Sequence, residues 1–330
     1  MLSRVAFTTY WMSRFMERAE NVARFINVNH HLALDLPLDE ETQWGPLVTV
    51  TGDWEEFRRR YGYASQENVI QFLTFDPDYP NSIYSCIRQA RENARTVREA
   101  ISSELWEVLN QLYLDLQETA AQERAIASPH DFFEEVRREC SLFTGLAVNT
   151  MTRNEAWHFI RLGQLLERAD KTSRMLDVKY FLLLPEPNYV GTPYDSIQWS
   201  AVLKSTSALE MYRLSYQRIS PTDVVQFLVL NPEFPRAIRY CVAHAETCLH
   251  KISGSQPGSY CNPAEQALGR LRAQLDFADT REMFEHGLHE YLDDLQLKLN
   301  RAGDSVYDTF FALPAVEPLV PSHSSQFQYQ

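Results

Sequence analysis

The chain has 330 residues, 45% of them hydrophobic and 12% aromatic, which is ample for a buried core and excludes disorder by composition. Its 31 Lys+Arg against 44 Asp+Glu leave a formal charge of −13, and that acid excess argues against a nucleic-acid or anionic-membrane binder, which needs a basic footprint. Only 11 glycines disfavour phosphate-cradling glycine loops and many-turned β folds, so an all-α fold is expected.

The first 25 residues lack the basic-then-apolar layout and small-residue cleavage site of a signal peptide. The strongly apolar run around Tyr180 to Leu184 is far shorter than the ~20 residues that span a bilayer. Five cysteines without CxxC spacing read as reduced thiols, and the expected location is cytoplasmic.

In chain order, Arg14 to Ile26 reads as a helix. Phe15, Met16, Ala19, Val22, Ala23 and Ile26 form one apolar arc, opposite Arg14, Glu17, Glu20, Asn21 and Arg24. Arg18 lies nearer the apolar boundary, where a long stem can pack while its guanidinium reaches a carboxylate. The segment from Asp76 to Pro80 must be non-helical and leads into a helix. On that helix Arg88, Arg91, Arg95 and Arg98 fall at i, i+3, i+7 and i+10, a cationic strip roughly 15 Å long, with Glu92 and Glu99 alongside.

The second half repeats much of this. Phe15 to Val28 aligns with Leu165 to Val178 at an offset of 150, and Val69 to Ile87 aligns with Val224 to Val242 at an offset of 155, with eight identities in 19 positions. Glu167, Arg168, Asp170 and Arg174 repeat the first charged stripe, and Asn231 to Pro235 repeats the Pro-bearing break. The extra residues fall in the connection Leu182 to Asp195, where insertions cost little. Between these windows Gln43-Trp44 matches Gln198-Trp199, and three matches in one order imply duplication. The expected layout is two helical repeats, 1–150 and 151–312, packed with approximate twofold symmetry, followed by a Pro/Ser/Gln-rich tail from 313 to 330. Asn262 should cap a helix that starts at Pro263.

Two readings of the charged stripes follow. They are either a buried ion-pair seam between paired helices or direct ligand contacts, with Glu17, Glu20, Glu167 and Asp170 as acid–base candidates. The second copy carries Ala243, Glu246, His250 and Ser253 where the first has its arginine strip, so that strip is not needed to build the repeat. Its expected target is a phosphate, a carboxylate or an acidic protein patch, against the alternative of pairing with local acids. A di-metal centre needs two Glu-x-x-His motifs, and only Glu155 to His158 fits, so no metal site is expected. There is no P-loop, GxGxxG or GxSxG.

These residues resemble the bacterial alpha-E family. The likeness rests on SRFMERAENVARFI near the start, on Asn81 to Asn110 and on Thr152 to Val178, and it covers residues 2 to about 310. It implies an all-helical protein whose characteristic glutamates and arginines fall on Glu17, Arg18, Glu20, Asn21 and Arg24, on Glu167, Arg168, Asp170 and Arg174, and on the arginine-rich helix. Ser13 stands where glycine would be expected. The resemblance further implies a circularly permuted ATP-grasp protein as partner, with transglutaminase-like and proteasome-like proteins in the same company, and ATP-dependent peptide or amide-bond formation as the setting. ATP and Mg would then sit on the partner ligase, with no cofactor on this chain. The alternatives are an enzyme in its own right and a purely structural scaffold.

Overall fold

The computed structural model describes residues 1–35, 39–182 and 193–312. Most of the 182–195 connection and the tail from 313 therefore lie outside the described residues. Within them there are 16 α-helices and no strand. The first half contributes α1 (Ser3–Asp35), α2 (Glu40–Thr51), α3 (Trp54–Tyr61), α4 (Gln66–Ile70), α5 (Ile83–Thr96), α6 (Ser103–Gln117), α7 (Thr119–Ala127) and α8 (Pro129–Thr150). The second contributes α9 (Glu155–Leu182), α10 (Pro193–Ser205), α11 (Leu209–Ser215), α12 (Pro221–Val225), α13 (Ile238–Ser253), α14 (Pro263–Asp276), α15 (Thr280–His286) and α16 (Leu288–Phe310).

Local chemistry sets the boundaries. The Asn262 side chain accepts the Glu265 N–H at 2.9 Å and starts α14 with Pro263 in its first turn. Before the breaks at Asp76 and Asn231, the chain widens into π turns at Gln71–Phe75 and Gln226–Leu230. The Asp76 N–H reaches the Gln71 carbonyl at 3.0 Å, and the Asp76 side chain then accepts the Asp78 N–H at 3.0 Å. Asn231 does the same for Glu233 and Phe234, both at 2.8 Å. Each break delivers the chain into a helix with a buried apolar face, α5 and α13.

The buried apolar residues form two clusters. One is built largely from α1 to α8 around Phe57, Phe72, Tyr79 and Phe133, the other from α9 to α16 around Tyr212, Leu228, Leu249 and Leu292. Each long helix crosses the divide: Ala6 and Tyr10 of α1 belong to the second cluster, while Ile160 and Met175 of α9 belong to the first.

Between the clusters α1 and α9 pack very closely. A Cβ built on Gly163 would lie 2.3 Å from the Tyr10 carbonyl oxygen and 2.6 Å from Ser13 Oγ. The Ser13 position is thus filled by a small side chain that returns its hydroxyl to the Tyr10 carbonyl at 2.9 Å, and the glycine sits opposite it on α9. Gly163→Ala should cost about 2 kcal/mol, because forced separation of the helices outweighs the ~1 kcal/mol gain in helix propensity. Urea unfolding checks this, and a stabilised variant would show that the approach is looser.

Candidate functional site

The polar arcs of α1 and α9 do not face water. Glu17, Glu20, Asn21 and Arg24 of α1 are buried, and so are Glu167, Arg168 and Asp170 of α9. Burying a carboxylate is tolerable only when an opposite charge and hydrogen bonds replace its water, and the two helices supply these to each other. Arg168 donates from Nε and Nη2 to the two oxygens of Glu17, each at 2.8 Å. In reciprocal fashion Arg18 donates to the two oxygens of Glu167, at 2.7 and 3.0 Å. Both are fork-to-fork pairs, the strongest geometry available to arginine.

Further cations complete each centre. Glu167 also accepts Arg14 Nε at 2.9 Å and has Lys171 Nζ at 3.5 Å. Asp170 takes Lys171 at 3.1 Å and Arg174 at 3.0 Å. On the other side, Arg236 at the mouth of α13 donates to both oxygens of Glu20 at 2.9 Å and lies 3.4 Å from Glu17, while Arg24 pairs with Glu20 and with the Ser207 hydroxyl. Asn21 donates its amide to the Glu17 carbonyl at 2.6 Å. Arg18 reaches from its pair to Asn81 at 2.6 Å, the position that corresponds to Arg236 at the offset of 155.

These partners set the protonation states. Burial alone would raise each carboxyl, but Arg236 and Arg24 outweigh it at Glu20 and hold that group at about 2. Burial is likewise outweighed by Arg168 and Arg236 at Glu17, by Arg18, Arg14 and Lys171 at Glu167, and by Lys171 and Arg174 at Asp170, so all three are lowered. A general acid or base working near neutrality needs the opposite tuning and a free lone pair. The arrangement is chemically suited to holding two helices together.

Thiol chemistry is no better placed. Cys86, Cys140, Cys241 and Cys248 are buried free thiols, and burial raises Cys86, Cys241 and Cys248 to about 12. Among the described residues no group of three or more His, Cys, Asp or Glu is placed to hold a metal ion. No described helix is long and apolar enough to cross a membrane.

The arginine strip is placed differently. Helix α5 ends at Thr96, where Val97 turns its buried side chain inward with φ −132° and ψ 33° and a 3-10 turn covers Arg98–Ala100. Arg98 therefore leaves the single helical arc that its spacing suggests. Its guanidinium lies instead over the Trp106 ring of α6, 4.6 Å from the centroid. Arg91 packs 5.6 Å from the same ring and 4.7 Å from Tyr113, Tyr113 stacks on Tyr84 at 6.1 Å, and Arg88 lies 5.5 Å over Tyr84. Cations and rings thus interleave along the α5–α6 face. Glu92 takes both Arg91 and Arg95 at 2.9 Å, whereas Arg88 and Arg98 have no carboxylate partner among the described residues. The strip does not line the cavity beside Glu17.

Sequence reasoning singled out Glu17, Glu20, Glu167 and Asp170 with Arg14, Arg18, Asn21, Arg24, Arg168 and Arg174, and all ten stand in one contiguous seam. It missed Arg236 and Lys171. At the offsets of 155 and 150, Arg236 aligns with Asn81 and Lys171 with Asn21, both uncharged, so the repeated pattern does not mark either cation.

The family model Alpha-E, described as a predicted alpha-helical domain with a conserved ER motif, matches residues 1–311. The Glu17-Arg18 and Glu167-Arg168 dipeptides fit that description and form the reciprocal forks of the seam. The chain is also similar to an uncharacterized protein of Mycobacterium bovis and to two of Mycobacterium tuberculosis, each 22% identical over 342 residues that cover 96% of this chain and 38% of theirs. The chain thus spans well under half the length of the curated relatives it matches. No solved structure matches it.

Proposed function

This chain belongs to the Alpha-E family, and from that premise we propose that it is a non-catalytic subunit or substrate-binding partner of an ATP-grasp-type ligase in ATP-dependent peptide or amide-bond formation. The likeness of its motifs to the alpha-E proteins that accompany circularly permuted ATP-grasp proteins supports the choice of partner. The observation that carries the role is the division of labour among the charges. The seam carboxylates are spent on buried arginines, while Arg88, Arg91 and Arg98 alternate with Tyr84, Tyr113 and Trp106 on an accessible face that also carries the exposed Arg95. Arginine, tryptophan and tyrosine dominate interface hot spots, and a cationic face on an acidic protein steers an acidic partner into register. Acidic small molecules or peptides would meet the same face in a substrate-binding role.

The same reading takes residues 1–150 and 151–312 as two copies of one helical unit. The reciprocal forks and the π turns at Gln71–Phe75 and Gln226–Leu230 support it. The second copy then keeps the seam and drops the arginine strip, which leaves that strip as the specialised element.

Mixing purified chain with its ATP-grasp partner tests the role. Arg88→Ala with Arg95→Ala should leave folding intact and weaken the complex at least about a hundredfold, from two hot-spot losses of about 2 kcal/mol each. An unchanged affinity would remove this face from the account.

A further inference from the structure

A second feature lies at the seam itself. A cavity of about 120 Å³ opens between α1, α8 and α9, beside the turn that carries Arg236. One wall is charged, with Glu17, Glu20, Arg161, Arg168 and Arg236, and the other is apolar, with Met16, Phe143, Ala147, Val148 and Ile160. The two carboxylates are already paired: Glu17 is held by Arg168, Arg236 and Asn21, and Glu20 by Arg24 and Arg236. The positive charge is not used up. Arg161 donates from Nη1 to Gln164 Oε1 at 2.6 Å and has no carboxylate partner among the described residues. Gln164 is itself fixed by donating to the Thr144 hydroxyl at 3.0 Å, so the guanidinium is held at the cavity wall with most of its donors unused.

A partly buried guanidinium without a carboxylate, beside two more that are already paired with glutamates, favours an anion. The apolar wall selects among anions. Phosphate or sulfate would have to shed water against methyl and phenyl groups, whereas an aliphatic carboxylate fills both halves. The space is worth roughly four water molecules of liquid volume, enough for an acid of about four to seven non-hydrogen atoms and too little for a peptide beyond its end.

We propose that this cavity binds the carboxylate of a small aliphatic acid, free or as the α-carboxylate of an apolar amino acid, with Arg161 as its principal anchor and Met16, Phe143 and Ile160 around its chain. The site is separate from the arginine face and from the partner it docks. Its test accordingly uses the isolated chain without any partner, and Glu56→Gln, at an exposed ion pair, should bind butyrate as the wild type does.

Ligand-observed NMR with butyrate, 2-aminobutyrate and phosphate decides the matter. Saturable millimolar binding of butyrate or 2-aminobutyrate is expected, with the tighter of the two identifying the free acid or the amino acid as source. Arg161→Gln should weaken it at least about tenfold, Arg161→Lys should recover part of the loss, and phosphate should not compete. Absence of saturable binding by either acid, equal binding in Arg161→Gln, or displacement by phosphate at equal concentration would each overturn the proposal.

Discussion

Replacing Glu167 by Gln should destabilise the protein by about 3–5 kcal/mol, the usual cost of leaving a buried charge without its partner. The side chain is 0% exposed and is shared by Arg14, Arg18 and Lys171, so an amide there strands Arg14 and Arg18 in a setting with little water and leaves Lys171 to Asp170 alone. Against a total stability of about 5–15 kcal/mol, that loss approaches unfolding. Glu17→Gln should be nearly as costly, since Arg168 would lose its fork and Arg236 its second carboxylate. The pair Arg59–Glu56, with side chains 72% and 41% exposed, is the control, and Glu56→Gln should move stability by less than about 0.5 kcal/mol. Urea unfolding of the three variants separates the two regimes. Were Glu167 a catalytic carboxylate with spare capacity, its amide would fold normally.

Acid should unfold this protein, and the seam should be the reason. Glu17, Glu20, Glu167 and Asp170 all have carboxyls lowered in the folded state, whereas in the unfolded chain they titrate near 4 to 4.5. The unfolded chain therefore binds more protons over this range, so their contribution to stability is complete above about pH 5.5 and is lost as pH falls through the folded values. For Glu20, with its carboxyl at about 2, the contribution is on the order of 3 kcal/mol, lost between about pH 4.5 and 2. Denaturant midpoints measured from pH 7 to pH 2 should fall steeply across that window. Glu20→Gln should start lower at pH 7 and fall less. A flat profile down to pH 2 would mean that the carboxylates are not held by their arginines.

Much of this was legible in the residues. The apolar arcs of α1 and α9, the Pro-bearing breaks before α5 and α13, and the Asn262 cap are local patterns set by spacing and side-chain chemistry. The placement of Arg18 and Arg168 at the apolar boundary, within reach of carboxylates, was also readable. What could not be read was where the polar arc of α1 faces. Glu17 and Arg168 are 151 positions apart, and a helix with one apolar and one charged face reads like a surface helix whether water or a second charged helix covers it. Arg98 shows a different limit. Helix α5 stops at Thr96 without a Gly or Pro signal, because burial of Val97 ends it, and such tertiary causes leave no local mark. Arg161 aligns with Trp11 at the offset of 150, so the repeated pattern does not mark it.

Folding by the seam and the proposed recognition by the arginine face are separable in one experiment. Affinity for the proposed ATP-grasp partner, with its ATP turnover, would be measured per folded molecule for Glu17→Gln and for Arg88→Ala with Arg95→Ala. The account predicts that Glu17→Gln, less stable as it is, keeps full affinity and turnover once corrected for folded fraction, while the arginine variant folds fully and fails to bind. Loss of turnover in folded Glu17→Gln, with the arginine variant still binding, would contradict it.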